Sequence, residues 1–341
     1  MMILNKKIGV FIIGIILLGC LLFFFLPKEE KVVVVYVAHD QDYSEPILKK
    51  FENLTGIKVK ALYDTEATKT VGLVNRLIAE KNNPQADVFW NNEMIRSILL
   101  KEKGILQPYC SPNAKDIPSF FKDEDCYWTG FAARARVIIY NIQKINESEA
   151  PSSIYDFINP KWKGKACIAN PILGSTSTHI ASLFALLGKE KAKEFLLKMK
   201  ANEVQIVESN SMVRDQVVAG ECWFGLTDTD DAWDAILAGK PIKMVFPDQD
   251  GMGTLVFPNT VMLIKNAPHA ENGKKLIDFL LSNWVEEELA RKALQIPLKK
   301  DVKLPENVPK VEEIRMMNVS FQKIYENLNE STQFIHNIFL T

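Results

Sequence analysis

The sequence predicts an α/β fold made of two units with a ligand cleft between them. The chain has 341 residues and 47% hydrophobic content, which is enough for two hydrophobic cores. Apolar β-branched runs alternate with amphipathic segments, and this alternation starts again after Gly130. Strands and helices that alternate with short connections are typical of parallel sheets with right-handed crossovers. The cleft between two such units is the natural place for a ligand.

The first unit begins with the apolar run Val32 to Ala38, which is typical of a strand covered on both faces. The next segment predicts a helix with Ser44 as N-cap, Pro46 in its first turn and Gly56 at its end. Two more strands and two more helices follow in alternation, in the segments IKVKALYD, TVGLVNRLIAEKN, ADVFWNN and EMIRSILLKEKG.

The second unit repeats the pattern. Its predicted strands are FAARARVIIYN, KACIANP, VQIVES and CWFGL, and its predicted helices are STSTHIASLFALLG, KAKEFLLKMKAN and MVRDQVVAG. A Gly-rich polar stretch between Pro247 and Pro258 comes before another strand, TVMLIKN. The last part of the chain predicts two helices, NGKKLIDFLLSNWVEEELARKA and VEEIRMMNVSFQKIYENLNESTQFIHNIF.

Residues 1–27 predict an export or anchoring segment. Lys6 and Lys7 precede an uncharged apolar run from Ile8 to Leu26, and the charged sequence KEEK follows. Within it, LLGC resembles a bacterial lipoprotein signal that would leave Cys20 as a lipid-modified N-terminus. The run also has the length of a membrane-spanning helix, and a cleaved signal is a third alternative. All three place the remaining chain in the periplasm or otherwise outside the cytoplasm.

The remaining cysteines and the net charge narrow the kinds of site and partner that the sequence allows. A disulfide between Cys110 and Cys126 is plausible in an oxidising compartment, whereas Cys167 and Cys222 fit buried thiols. No C-x-x-C pair supports a zinc site. The formal net charge of −1 and the scattered basic residues argue against nucleic acid as a partner.

Catalytic motifs are absent from the sequence. It contains no phosphate-binding loop and no G-x-S-x-G elbow, and GMGTLV has only part of a dinucleotide fingerprint. The four histidines include no i, i+4 pair for zinc. A calcium loop that starts at Asp228 would require glycine at Trp233. We therefore predict neither an enzyme nor a bound cofactor.

Polar clusters stand where predicted strands end. Ligands bind beyond the carboxyl ends of strands in open parallel sheets, so these clusters predict one binding region. Each cluster taken singly also fits helix capping, because Ser, Thr, Asp and Asn are the usual cap residues. The candidate residues are His39, Asp40, Thr65, Glu66, Asn92, Glu93, Ser175, Thr176, Ser177, Thr227, Asp228, Thr229 and Asp230.

These clusters offer two kinds of chemistry. The start of the helix that contains Ser175 and Thr176 suits an anion such as phosphate or carboxylate. The acidic sequence TDTDD suits a cation or a hydrogen-bond donor. Both together would suit a zwitterion, or a hard metal bound with an anion. Arg134 and Arg136 would add positive charge if they face the site, and they fit a surface position equally well.

Four segments carry a resemblance to a known family: the stretch FENLTGIKVKALYDTEATKTVGLVNRLIAEKNNPQADVFWNNE, GFAARARVIIYN, FGLTDTDDAW, and the stretch from VFPDQDGMGTLVFP to LIDFLLS. They resemble the extracellular solute-binding proteins of ABC importers, in the ferric-iron-binding branch. The resemblance implies a two-lobed periplasmic-binding-protein fold of class II topology, which closes on its ligand and delivers it to an ABC permease and its ATPase. It places lobe 1 at 32–131 with 248–290, and lobe 2 at 132–247 with 291–341.

The resemblance also implies a transported ligand, Fe(III) or an iron chelate, but the ligand residues of the family change. The tyrosine pair that holds iron in the family falls on Thr229 and Asp230, its histidine on Asp40 with His39 beside it, and its glutamate on Asn92 or Glu93. Asp40, Glu93 and Asp230 remain oxygen ligands suited to a hard cation. A small phosphorylated or phosphonate-like anion is the alternative ligand. An exported carboxylate-dependent hydrolase and a membrane-anchored sensing domain are alternatives of other classes.

Overall fold

The computed structural model describes residues 31–64 and 71–339. The predictions for residues 1–27, including lipidation of Cys20, lie outside these ranges. Within them, no helix combines the length and the apolar character that crossing a membrane requires.

Ten strands form one continuous sheet in the described chain, in the order β2-β1-β3-β10-β5-β8-β6-β7, with β4 paired to β10 and β9 paired to β5. Their bounds are β1 Val32–Val37, β2 Lys58–Tyr63, β3 Val88–Asn91, β4 Leu106–Gln107, β5 Thr129–Asn141, β6 Ala166–Ala169, β7 Gln205–Val207, β8 Phe224–Asp228, β9 Ile242–Val245 and β10 Val256–Ile264.

Ten α-helices connect and cover these strands in the described ranges. They are α1 Gln41–Thr55, α2 Val71–Ala79, α3 Ile95–Glu102, α4 Gly174–Leu187, α5 Lys189–Ala201, α6 Asn210–Ala219, α7 Thr229–Leu237, α8 Ala270–Leu280, α9 Asn283–Ala293 and α10 Phe321–Phe339. The β-branched runs form most of the strands and the amphipathic segments form most of the helices, as the sequence predicts. Helix α7 and strands β4 and β9 were not predicted.

Strand β5 joins the two halves of the sheet. Residues 129–135 pair with β10, and residues 136–141 pair with β8 and β9. All thirteen residues of β5 are buried, because the strand runs through the centre of the molecule. We call the half with β1 to β4 and β10 lobe 1, and the half with β6 to β9 lobe 2. The residue boundaries predicted for the lobes stay predictions.

Strand pairing within the lobes follows the predicted crossovers. In lobe 1, β1 pairs in parallel with β2 and β3, and in lobe 2, β6 pairs in parallel with β7 and β8. Parallel pairing sends the carboxyl ends of these strands to one edge. Strand β10 enters antiparallel between β3 and β5. The carboxyl ends of the parallel strands in both lobes can therefore contribute side chains to one cleft.

Some predicted element ends differ from the structure. Helix α1 begins at Gln41 with Asp40 as N-cap, so Ser44 lies inside the helix, where its Oγ donates to the Asp40 carbonyl oxygen at 2.8 Å. Strand β8 extends to Asp228, which places this carboxylate in the strand. Helices α8 and α9 divide a segment predicted as one helix. Residues 311–320 are not α-helical, although the sequence predicts a helix from Val311 onward.

The predicted disulfide is confirmed. Cys110 and Cys126 are bonded, and Cys167 and Cys222 are free and buried. The disulfide loop is attached to α8 because Tyr109 Oη donates to both carboxylate oxygens of Asp278 at 2.9 Å. Closing a loop of this size reduces the conformational freedom of the unfolded chain.

Gly225 in β8 allows close packing under the site. A Cβ atom at this position would lie 2.5 Å from Val213 Cγ1 and 2.9 Å from the Cys167 carbonyl oxygen. Such distances leave no room for a methyl group, and the obstacle includes backbone. The contact fixes β8 against β6 and α6, and so positions Asp228 three residues later.

We expect Gly225→Ala to lower the free energy of unfolding by about 1–3 kcal/mol, because overpacking forces the backbone to shift. Gly251→Ala is the matched control, since its Cβ would meet nothing closer than 3.7 Å. Urea unfolding followed by circular dichroism measures both variants. Equal stability of the two variants would contradict this description of the packing.

Candidate functional site

A cleft of about 400 Å³, lined mainly by polar and charged residues, lies between the two lobes. Its walls are built from the carboxyl ends of strands and from the first turns of the helices that follow them, as expected for open parallel sheets. Lobe 1 and β5 contribute Asp40, Tyr43, Asn75, Asn92, Glu93 and Arg134, and lobe 2 contributes Asn170, Ser175, Thr176, Glu208, Asn210, Asp228, Asp230, Asp231 and Asp234, among other lining residues.

A buried ion pair between Arg136 and Asp228 forms the floor of the cleft. Arg136 Nη1 lies 2.5 Å from Asp228 Oδ1, and the Arg136 side chain is fully buried. Arg136 also donates to Ser175 Oγ at 3.0 Å and to Thr176 Oγ1 at 3.2 Å. Because β5, β8 and α4 each contribute a partner, this pair holds three elements in register.

Asp228 receives further donors on its second oxygen. Ser175 Oγ donates to Asp228 Oδ2 at 2.7 Å and Asn210 Nδ2 donates to it at 3.0 Å. The carboxylate is therefore paired and hydrogen-bonded on both oxygens, which is the condition for burying a charge at tolerable cost. Asp228 thus has little capacity left for a ligand while these contacts persist.

Arg134 connects the two lobes across the cleft. Its Nη1 lies 3.1 Å from Asp230 Oδ2 in lobe 2, and its Nη2 donates to the carbonyl oxygen of Asn92 in lobe 1. Burial would lower the pKa of Arg134, but Asp230, Asp228 and Asp40 together raise it above its ordinary value. Arg134 therefore supplies a fixed positive charge between the carboxylates.

Three carboxylates converge at the start of α7. Asp228, Asp230 and Asp231 each place an oxygen within 4.8 Å of the other two. Burial, and then the charges of Asp230 and Asp228, raise the pKa of Asp231 well above its usual range. Burial also raises the pKa of Asp230, although Arg134 acts against this. Arg136 and Arg134 pair with Asp228 and Asp230, so the third carboxylate of the cluster favours a proton or a further cation.

Tyr43 faces these acids from α1 in lobe 1. Burial raises the pKa of its phenol to about 12, with smaller contributions from Asp234, Asp230 and Asp40. The phenol is therefore neutral at physiological pH. It is an oxygen donor that the sequence analysis did not predict, although Tyr43 lies one helical turn after the predicted residue Asp40.

Glu93 is largely engaged in capping α3. Its Oε2 accepts from the Ile95 amide at 2.6 Å, and its Oε1 accepts from the Arg96 amide at 3.1 Å. The Arg96 guanidinium also lies 3.2 Å from Oε1. The side chain lines the cleft but is 2% exposed. Capping, which the sequence left open as an alternative, is the observed role.

The predicted residues divide into three groups. Those that line the cleft are Asp40, Asn92, Glu93, Ser175, Thr176, Asp228 and Asp230. Those that the structure places behind the lining are His39, Ser177, Thr227 and Thr229. Thr65 and Glu66 lie outside the described residues.

The residues behind the lining are engaged in structural hydrogen bonds. His39 Nε2 bonds to Gln295 Nε2 at 2.8 Å. Ser177 Oγ donates to the Gly174 carbonyl, and Thr227 Oγ1 donates to the Asn210 carbonyl. Thr229 Oγ1 accepts from the amide of Ala135 at 3.3 Å. Ser177 bonds within the first turn of α4, and the other three side chains hold strand ends in place, which explains why polar residues occur there without reaching the cleft.

Several lining residues were not predicted, and two signals could have found them. Asn170 follows β6, and Glu208 and Asn210 follow β7, so the strand-end rule applies to them as well. Tyr43 and Asp234 lie three and four residues after Asp40 and Asp230, on the same helix faces. Arg134 and Arg136, left open by the sequence, are both buried at the site.

Comparison with known proteins gives relatives of similar length. Over 321 residues the chain is 28% identical to the iron uptake protein A1 of Synechocystis, which covers 91% of this chain and 88% of the relative. It is 27% identical to a putative 2-aminoethylphosphonate-binding periplasmic protein of Salmonella typhimurium, over 80% of each chain. The solved structure of a ferric binding protein from Campylobacter jejuni superposes with a TM-score of 0.81 at 25% identity, covering 90% of this chain and 99% of that one.

The family model described as bacterial extracellular solute-binding protein matches residues 83–327, which is more than half of the chain. The two-lobed α/β fold, the cleft between the lobes and this match agree. The chain therefore belongs to the family of bacterial extracellular solute-binding proteins.

Proposed function

We propose that this chain is the extracytoplasmic binding protein of an ABC importer and that it captures ferric iron, or an iron chelate, in the cleft. The observation that carries the proposal is the group of three carboxylates, Asp228, Asp230 and Asp231, within 4.8 Å at the cleft wall. Fe(III) is a hard cation, and oxygen-rich sites suit such ions. The names of the Synechocystis and Campylobacter proteins support the same cargo.

The hydrogen bonds of the site indicate which oxygens would hold the cargo. Asp228 is engaged by Arg136, Ser175 and Asn210, and Glu93 is engaged by the first turn of α3. Asp230 bonds to Arg134 and to the Asp231 amide, and Asp231 accepts from Thr227, but both side chains are about one-fifth exposed to the cleft, whereas those of Asp228 and Glu93 are only 3% and 2% exposed. The predicted metal ligands were Asp40, Glu93 and Asp230. We therefore keep Asp40 and Asp230 as ligands and propose Asp231 as the third ligand instead of Glu93.

A chelate would use the positive features of the same cleft. Arg134 carries a fixed charge beside Asp230, and α4 begins at the cleft without a side-chain cap from Leu173. Anionic groups of a chelator would be stabilised there by the guanidinium and by the backbone N–H groups of the first helical turn. The metal would face Asp230 and Asp231, and its anionic partner would face α4.

A second candidate ligand is a zwitterion that carries an amine and a phosphonate. Arg134 and the start of α4 would hold the phosphonate, and Asp230 with Asp231 would accept from the ammonium. The Salmonella relative named as a 2-aminoethylphosphonate-binding protein favours this candidate.

The partners follow from the family. We propose that the loaded protein delivers its ligand to an ABC permease driven by a cytoplasmic ATPase, and that residues 1–27 tether it to the membrane through lipid on Cys20 or through a helix. Closure of two lobes about a hinge would then present the loaded form to the permease. The cleft would bind its ligand without transforming it.

We expect Asp230→Asn to weaken Fe(III) binding at least about tenfold, because the neutral amide loses an anionic ligand and disturbs its neighbours. Competition with nitrilotriacetate, followed by elemental analysis of the protein fraction, measures the affinity. Asp125→Asn is the control, since Asp125 is exposed and pairs with Lys101 in lobe 1. Equal affinities of Asp230→Asn and the wild type would show that the metal site lies elsewhere.

The raised pKa values of Asp230 and Asp231 predict proton release on metal binding. A metal binds the ionised carboxylates, so a raised pKa makes the affinity fall as the pH is lowered, starting above the usual range of about 3.9. We expect the apparent affinity for Fe(III), corrected for the chelator, to fall as the pH is lowered from 7 to 5. Asp231→Asn should flatten this dependence. An unchanged slope in that variant would contradict the assignment.

A further inference from the structure

Glu286 is a buried acid outside the ligand cleft. It lies in α9, and its side chain is 0% exposed. Its Oε2 accepts from the amide of Leu298 at 3.1 Å and from the amide of Ala132 at 3.3 Å. Its Oε1 is buried and has no hydrogen-bond partner among the described residues. A buried carboxyl group with an unpaired oxygen is less costly to the fold in its neutral, protonated form than as a carboxylate.

The backbone that Glu286 contacts has the properties of a hinge. Ala132 has a φ of 42°, an uncommon conformation for a residue with a Cβ, inside the strand that joins the lobes. Opposite it, the pairing of β10 shifts between Pro258 and Asn259. Only a few residues after Ala132, β5 changes its partner from β10 in lobe 1 to β8 in lobe 2.

A polar network holds this point together. Asn259 Nδ2 donates to the Ala132 carbonyl at 2.5 Å and to Gln295 Oε1 at 2.8 Å. The amide of Ala133 donates to the Ile296 carbonyl at 2.7 Å, and the amide of Ile296 donates to the Ala133 carbonyl at the same distance. Three chain segments, from β5, β10 and the stretch after α9, therefore meet at Glu286, and none of these bonds involves a residue that lines the cleft.

We propose that Glu286 is a proton-controlled hinge residue: its neutral carboxyl stabilises the lobe arrangement of this structure, and loss of its proton shifts the equilibrium toward a different lobe angle. The proposal concerns the hinge of a two-lobed binding protein and does not depend on which ligand the cleft takes. It gives the protein a pH response that is separate from proton release at the cleft carboxylates.

The electrostatic surroundings set the pH at which this happens. Burial raises the pKa of Glu286 to about 7, against the lowering effect of the Leu298 and Ala132 amides and of Lys299. Lys299 is the charged group that faces Glu286, and its Nζ donates to Asn283 at 3.2 Å. Asp116 faces Lys299 in turn. On β5 the nearest charged side chain, Arg134, is bonded to the cleft carboxylates.

Ionisation would leave a charge with one unpaired oxygen inside the hinge. The cost is relieved if the segments separate enough for water or the Lys299 ammonium to reach Oε1. The sign follows from the raised pKa: the described arrangement is favoured below about pH 7, and it loses stability as the pH rises through that value. A group with this pKa goes from roughly one-tenth to nine-tenths ionised between pH 6 and 8.

Fluorescence energy transfer between the lobes tests the proposal on the ligand-free full chain. Labels are attached to cysteines introduced at the exposed residues Leu54 in α1 and Leu237 in α7, in a Cys20→Ser background. We expect the inter-lobe distance to change with pH, with a midpoint near 7, and Glu286→Gln to remove the change because the amide cannot ionise. Glu288→Gln on the same helix is the matched control and should behave as the wild type.

A second variant keeps the test decisive if Glu286→Gln does not fold. Lys299→Met removes the charge that lowers the pKa of Glu286, so the midpoint should move to higher pH. A wild-type distance that stays constant between pH 5.5 and 8.5 would overturn the proposal. So would a pH response that survives in Glu286→Gln, or a midpoint that does not move in Lys299→Met.

Discussion

The buried ion pair of Arg136 and Asp228 is the constraint on which the rest of the site depends. It joins the crossing strand β5 to the end of β8, and Ser175 and Asn210 attach the first turns of α4 and α6 to the same pair. Removing either partner would leave an uncompensated charge with no solvent, which typically costs about 3–5 kcal/mol. The position of the cleft floor is therefore fixed by electrostatics as much as by packing.

The chemistry of the cleft depends on which groups the two arginines contact. Arg136 pairs with Asp228, and Arg134 bridges Asp230 and the Asn92 carbonyl across the lobes. Burial and the charges of Asp230 and Asp228 raise the pKa of Asp231. A cation at this point would replace a proton, and an anion could approach Arg134. The same few residues thus offer oxygen ligands for a cation and a positive charge for an anion.

Much of the fold and part of the site could be predicted from the sequence. Hydrophobic periodicity predicted the order of most strands and helices. The position of polar residues at strand ends predicted that Asp40, Asn92, Ser175 and Asp230 share one cleft, because parallel pairing aligns the carboxyl ends. The rule could not tell lining residues from supporting ones: His39 turns to Gln295, and both oxygens of Glu93 cap α3. Tyr43 could be placed at the cleft only if the helix starts at Gln41, whereas the capping pattern predicted that it starts at Ser44. The pairing of Arg134 with Asp230 is a contact between distant parts of the chain that no local pattern contains.

We propose that the carboxylates at the start of α7 form a hard-cation site at the positions where the ferric-iron-binding proteins that this chain resembles have tyrosines. Native mass spectrometry of the full chain purified without added metal, combined with elemental analysis, tests it most directly. We expect one iron per chain, alone or together with the mass of an anionic chelator. A bound organic phosphonate or phosphate without metal would contradict it and would assign the carboxylates to an ammonium or to hydroxyl groups instead.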